Sequence, residues 1–429
     1  MKSVLNWILS GFESIVFVRD YPLKSRLSFR DRVSLVINLL IVRSQFWKAR
    51  TSEIRALICT PTDERVLVPV LFKLLEKPTL KVTAVIPSTL NPQLKQQLRD
   101  AGCQVKEQLS DILMPCLHPE QTLGLFCLDH RFFYTAHARG VDAAETLKQF
   151  GVKTASIQHG GTRQDSVQGL ASTTSERLLV WGERVYRELI HQYEVPSERI
   201  QLVGNHLHDR ILNIDRHQVL EALKQFSPAF WSEVCQKKVI LLATCLHTEY
   251  RDRPNEAELY TAYMQYLYEN LDFSQVCLVI KMHPGDQKDP NLYRASIPES
   301  LKQSHSICII EPQHTQLDVY GLLHLSDVLV TRASTVAEEA LLMNKKVIAV
   351  DVDASGPASA YHHLEEYGSY KTVYLSAPEA LKQAVHAALF EPCPASNSAH
   401  FDLEREFTYR LDGNSLQRTV DALLQQLYS

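Results

Sequence analysis

The sequence predicts an α/β protein made of two doubly wound parallel sheets in succession, and three observations carry that expectation. From residue 54 onward, short apolar runs alternate with amphipathic segments, the pattern of strands paired in parallel and covered by helices on both faces. The alternation is interrupted by a helical stretch at 216–236 and then begins again. A chain of 429 residues with 45% hydrophobic content is also long enough to bury two cores of ordinary size.

In the first series "IRALICT" reads as a strand and "DERVLVPVLFKLLEK" as a helix started by Thr62 or Asp63. "KVTAVIP" is the next strand, and "NPQLKQQLRDAG" a helix closed by Gly102. The strand "TLGLFCLD", the helix "GVDAAETLKQFG", the strands "KTASIQHGG" and "RLLVWG", the helix "ERVYRELIHQYEV" and the strand "IQLVGN" follow. The second series starts at "KKVILLATC". It runs through the helix "EAELYTAYMQYLYENL", the strands "QVCLVIKMH" and "SICIIE", the helix "LDVYGLLHLS", the strand "DVLVTR", the helix "TVAEEALLMN" and the strand "KKVIAVD".

A net charge of −4 argues against a general nucleic-acid binder, but the first 50 residues carry nine Lys/Arg against three Asp/Glu. Only about ten near-apolar residues run between Ser34 and Arg43, against the roughly 20 that a membrane span needs. No secretory cleavage site follows "MKSVLNWILSGF". Two readings of this basic arm remain: a helix lying on an anionic membrane face, with Trp7, Phe46 and Trp47 as anchors, or a helix packed on the first domain. The nine cysteines form no C-x-x-C pair and several sit in apolar runs, which reads as reduced thiols of a cytoplasmic protein and as neither a disulfide framework nor a zinc site.

Ligands of doubly wound sheets sit at the carboxyl ends of strands. Five such ends exchange an apolar run for groups that donate hydrogen bonds, titrate or carry charge: "CTPTDER", "CLDHRFF", "IQHGGTRQ", "KMHPGDQK" and "TRASTVAEEA". In the last, Ser334 or Thr335 would cap a helix whose first turn favours phosphate, although a capping box with the following glutamates accounts for the same residues.

Taken in order, "IQHGG", "LVGNHLHD", "KMHPGD", "LSDVLVTRASTVAEEALLMNKKVIAVD" and "YRLDGNSLQR" resemble the GT-B superfamily of nucleotide-sugar enzymes. The similarity is to bacterial surface-polysaccharide transferases of the polysialyltransferase-like, Kdo-transferase-like and CDP-glycerol glycerophosphotransferase-like kinds, related in fold to UDP-N-acetylglucosamine 2-epimerases. It implies two Rossmann-like domains facing across a cleft. The expected division is a basic arm at 1–50, an acceptor domain at 51–215, a helical linker at 216–236, a donor domain at 237–400 and a C-terminal helical segment at 401–429.

Carried onto this chain, the resemblance gives the donor's phosphate and nucleotide to His283 and Pro284, with Lys281 and Gly285 beside them. Ser334 and Thr335 would bind phosphate, Glu339 the ribose hydroxyls, and Arg332 would add positive charge, with Glu338 turned away. His159 stands where glycerophosphotransferase-like enzymes keep a catalytic base, and Asp129 is its rival. Gly160 and Gly161 would allow close approach of substrate, with Asn205 and Thr244 also lining the cleft. The resemblance implies an inverting, metal-independent glycosyltransferase that needs no cofactor beyond a CMP-, CDP- or UDP-linked donor. Its acceptor would be a surface or capsular glycan, free or lipid-linked, and its place the cytoplasm, with peripheral contact at the inner face of the cell membrane. The alternatives are a nonhydrolysing 2-epimerase-like isomerase, a glycerophosphotransferase and an inactive GT-B scaffold.

Overall fold

The computed structural model describes residues 21–44, 51–87, 91–117, 119–244, 256–283, 286, 291–354, 356–391 and 402–429. The chain divides into two units. Unit 1 comprises 1–160, 165–207 and 408–429, and unit 2 comprises 161–164 and 208–407.

Unit 1 holds β1 (Glu53–Leu57), β2 (Lys81–Val85), β3 (Gln104–Lys106), β4 (Thr122–Phe126), β5 (Lys153–Ile157), β6 (Arg177–Val180) and β7 (Ile200–Leu202). They form one parallel sheet in the order β3-β2-β1-β4-β5-β6-β7. The central strands β1 and β4 are buried along their whole length, as a sheet covered on both faces requires. Strand order reverses between β1 and β4, which sets the switch point of this unit there.

The basic arm is part of unit 1 wherever it is described. Tyr21, Leu23, Leu27 and Leu35 pack in one cluster with Leu57, Val85, Phe126 and Leu147, and α1 (Phe29–Ser44) follows directly. Trp7, Phe46 and Trp47 lie outside the described residues. Helix α2 (Pro61–Leu75) starts earlier than Thr62 or Asp63: Thr60 is its cap. The Asp63 N–H donates to Thr60 Oγ1 and the Thr60 N–H to Asp63 Oδ2, so Asp63 is the third helical residue of a capping box and Pro61 takes the first position. Helix α3 (Tyr134–Gln149) also begins before the expected "GVDAAETLKQFG".

The C-terminal helix Ser415–Tyr428 is no separate segment. Its Val420, Leu423 and Leu427 are buried with Ile54, Leu67 and Leu123 in the core of unit 1, and Gln426 Nε2 donates to the Thr154 carbonyl.

Unit 2 holds β8 (Lys238–Ala243), β9 (Val276–Lys281), β10 (Ile307–Ile310), β11 (Val328–Thr331), β12 (Lys346–Asp351) and β13 (Tyr370–Tyr374) in a parallel sheet of order β10-β9-β8-β11-β12-β13. Its switch point lies between β8 and β11. The expected linker at 216–236 belongs to this unit, because Val219, Leu223 and Phe230 are buried with Val239 and Leu329. Among the elements that had not been foreseen are β13 and the helix Pro378–Phe390. "YKTVY" is an edge strand with one face partly open, so it lacks the continuous apolar run of its central neighbours.

Leu423→Ala should destabilise unit 1 by about 2–5 kcal/mol, the cost of emptying a leucine site in a packed core. Urea unfolding followed by fluorescence of the buried Trp181, also in unit 1, measures it. A shift within error would mean that this helix is not part of the unit's cooperative core.

Candidate functional site

In unit 2 the ends of β8 and β9 are tied by one hydroxyl. Thr244, buried just after β8, accepts from the His283 backbone N–H at 2.9 Å, while its own hydroxyl donates to the carboxylate of Asp286. Tyr293 donates to the same carboxylate at 2.8 Å, and the Asp286 N–H returns to the His283 carbonyl at 2.9 Å. A fully buried carboxylate thereby fixes the turn, and the His283 side chain is left exposed at the strand end. Thr244 therefore acts by shaping the turn. Pro284 and Gly285 lie outside the described residues.

Lys281 is half-buried and donates from Nζ to the carbonyls of Glu311 and His314, each at 3.2 Å; burial holds its pKa below the usual lysine value. Its charge thus faces the loop after β10.

After β11, the side chain of Arg332 is 1% exposed and forms an ion pair with Asp351 at 3.0 Å. The expected positive charge toward a donor is therefore balanced inside the sheet. Ser334 Oγ accepts from the Val336 N–H at 3.3 Å, while Thr335, at the cap position of the helix Val336–Leu342, makes no side-chain cap bond. Both are half-buried, so their hydroxyls are only partly committed to the helix.

The two glutamates of this helix diverge. Glu339 Oε1 accepts from the Tyr320 hydroxyl at 2.9 Å and lies 3.8 Å from His208 Nε2. Glu338, expected to turn away, is buried and accepts from both the N–H and the hydroxyl of Thr162, at 2.7 and 2.9 Å. Gly161 leaves room for this carboxylate: a Cβ there would lie 2.2 Å from Glu338 Oε1, so a larger residue would displace the Glu338 side chain. The Thr162 hydroxyl also meets His363 Nε2 at 2.7 Å. Since its single proton goes to Glu338, Nε2 of His363 is the donor in that bond.

In unit 1, Asp129 is fully buried and both its oxygens are engaged. Ser156 donates to Oδ1 at 2.6 Å, and the N–H and hydroxyl of Ser175 donate to Oδ2 at 2.9 and 2.6 Å. It ties β4 and β5 to the segment before β6, and burial raises its pKa above the ordinary carboxylate value.

His159 instead sits in a cluster that the sequence reading had missed. Its ring stacks on His130 at 4.9 Å between centroids, and His137 stands edge-on to both, at 5.1 Å from His130 and 5.8 Å from His159. Gly140 lets α3 reach this strand end, since a Cβ there would lie 2.0 Å from the Leu128 carbonyl oxygen. Neither ring nitrogen of the buried His130 has a hydrogen-bond partner among the described residues. The available signal was "CLDHRFF" itself, in which the histidine next to Asp129 ends the same strand.

Burial lowers the pKa of all three imidazoles: His130 well below the ordinary value, with His159 and His137 adding repulsion, His137 less so, and His159 to about 3, with His137 and Arg65 contributing. His206 is held at about 4 by burial and Arg65. Gly160 is set by Gln158, which donates to its carbonyl at 2.6 Å and accepts from the Trp181 N–H. Asn205 is buried in a turn, taking the Leu207 N–H at 3.0 Å and giving its own N–H to Thr408. That leaves it a structural residue of unit 1. Among the described residues, no three or more His, Cys, Asp or Glu side chains are arranged to hold a metal ion.

The fold of two Rossmann-like α/β units with parallel sheets is shared with GT-B-like epimerase and glycosyltransferase structures. The family model for UDP-N-acetylglucosamine 2-epimerase matches residues 156–354. The S. aureus MnaA–UDP co-structure is similar over 88% of this chain and 97% of its own, with 17% identity and a TM-score of 0.57. The UDP-GlcNAc 2-epimerase of Neisseria meningitidis bound to UDP-GlcNAc is similar over 87% and 100%, with 16% identity and a TM-score of 0.54. A glycosyltransferase from Rickettsia africae matches over 88% and 99%, with 12% identity and a TM-score of 0.53. No curated protein matches the chain.

The depressed histidines make stability depend on pH. The unfolded chain takes up protons near pH 6.5 where the folded one does not, so the contribution of these groups is complete above about pH 6.5 and falls as pH drops toward their folded values. Between about pH 6 and 5, stability of unit 1 should decline by about 1 kcal/mol per pH unit for each of His130, His159 and His206. His130→Phe should flatten the profile measured by urea unfolding; an unchanged slope would mean that His130 is not held neutral.

Proposed function

We propose that the protein is an enzyme acting on a uridine nucleotide sugar, with the nucleotide at the carboxyl-end edge of the unit 2 sheet, and that the reaction is epimerisation at the sugar's C2. The observation that carries the nucleotide site is that the strands on either side of β8 both end in candidate ligands along one carboxyl edge: His283 on its Thr244–Asp286 anchor after β9, and Ser334, Thr335 and Glu339 after β11. An exposed imidazole and half-buried hydroxyls suit phosphate, and a carboxylate held by a tyrosine suits vicinal hydroxyls. The family-model match and the UDP-bound neighbours support uridine and the isomerase chemistry. The unbridged thiols of Cys59, Cys103, Cys127, Cys235, Cys277 and Cys308 support a reducing, cytoplasmic setting.

Glycosyl transfer is the second reading, and one observation favours it. Inversion at a carbon needs a proton removed from one face and returned to the other, whereas transfer needs one proton taken from an acceptor hydroxyl. With Asp129 engaged, the unit 1 strand ends beside it offer imidazoles, His159 foremost. His159 is in the unprotonated form that a base needs, but a pKa of about 3 makes it a weak one until negative charge on the substrate raises it.

Product analysis separates the readings. Incubation with UDP-N-acetylglucosamine alone should yield its C2 epimer; UDP release only when a glycan acceptor is added would favour transfer. Absence of binding to uridine and cytidine nucleotides alike would leave an inactive scaffold.

His283→Ala and Glu339→Ala should each weaken UDP affinity by about 10- to 150-fold, the loss of a hydrogen bond to a charged group. Calorimetric affinities equal to the parent's in both would remove the nucleotide from this edge. His159→Ala should lower turnover by about 10²- to 10⁴-fold with UDP affinity nearly unchanged. Turnover near the parent value would exclude His159 as the base.

A further inference from the structure

We propose that unit 1 docks on an anionic membrane surface through a face built from the start of α1 and the entry to α3. Four large side chains are exposed there: Phe29 (44%), Ile37 (50%), Phe132 (48%) and Tyr134 (46%). They belong to two segments joined by Arg26, whose Nη2 donates to the Tyr134 hydroxyl at 3.1 Å and whose guanidinium lies 5.6 Å from that ring's centroid. Phe29 follows three residues later, and Phe29, Val33 and Ile37 fall at i, i+4 and i+8 on α1, one stripe along the helix. Among the described side chains of α1, Leu35 and Val36 are the buried ones.

Charge selects the occupant. The two segments that carry these side chains, residues 21–37 and 130–145, contain Lys24, Arg26, Arg30, Arg32, Arg131 and Arg139 against Asp31, Asp142 and Glu145, an excess of three positive charges, with Asp63 and Asp111 nearby. Asp142 pairs with Arg26, and Glu145 with Arg131 at 2.8 Å. Exposed aromatic and aliphatic side chains on segments rich in cations match an interface of acyl chains beneath anionic head groups. No helix among the described residues is long and apolar enough to cross a membrane, so the contact would be made in the plane of the surface. Arg26, together with His137 and Arg139 on α3, also lines a cavity of about 270 Å³.

The inference does not depend on the nucleotide reading, and one experiment keeps the two apart. The full chain is sedimented with phosphatidylcholine vesicles, with and without phosphatidylglycerol, at low and high salt, and UDP binding is measured in parallel. Binding is expected only with phosphatidylglycerol and should fall at high salt. The triple variant Phe29→Ser/Ile37→Ser/Phe132→Ser should bind those vesicles about tenfold less or weaker, with its melting temperature and UDP affinity kept. If that variant melts early, Arg30→Glu/Arg131→Glu reads the same face through its charge, with the same loss expected. A full chain that stays in the supernatant at low salt would overturn the proposal. So would a folded variant that binds as the parent does, or one that changes only the oligomeric state.

Discussion

Every strand pairing in both sheets is parallel, and that one constraint arranges the rest of the structure. A parallel strand cannot be continued by a tight turn; the chain must cross back over a face before the next strand begins. All carboxyl ends of a sheet therefore collect along one edge, and polar residues are concentrated there, the buried Glu53–Arg55 pair of β1 being an exception. In unit 1 that edge gathers Asp129, His130, His159 and, from α3, His137. In unit 2 it gathers Thr244, His283, Arg332 and the residues that follow Arg332 in sequence.

Along both edges buried carboxylates are occupied by the protein itself. Asp129 ties strands through two serines, Asp286 fixes a turn through a threonine and a tyrosine, Asp351 balances Arg332, and Glu338 holds Thr162. A buried carboxylate without donors is costly, so each is surrounded by them. What remains for contact with a ligand is mostly imidazole and hydroxyl. The edges are rigid where they are acidic and open where they are not.

The alternating architecture was readable from the sequence because central parallel strands are continuous apolar runs. The edge strand β13 was not, since its alternation of polar and apolar residues resembles a loop. The strand ends that carry the candidate sites were also legible, but the partners of their side chains were not. Nothing local in "CLDHRFF" says that Asp129 is fastened by Ser156 and Ser175, because those donors arrive from β5 and from the segment before β6. The start of α2 was placed two or three residues too late because Thr60, Thr62 and Asp63 are each competent caps, and backbone geometry decides among them. The helix Ser415–Tyr428 was expected only within a C-terminal helical segment at 401–429, since an amphipathic stripe does not state which core it covers.

That helix has a consequence for how the chain is made. Unit 2, apart from residues 161–164, is a continuous stretch, while three side chains of the unit 1 core arrive from residues translated after all of it. On the ribosome the strands of unit 1 emerge first yet wait, with apolar surface around Ile54, Leu67 and Leu123 uncovered, until Val420, Leu423 and Leu427 have been added. The domain begun first is thus completed last, and the interval between is when the nascent chain is most exposed to aggregation and most in need of a chaperone.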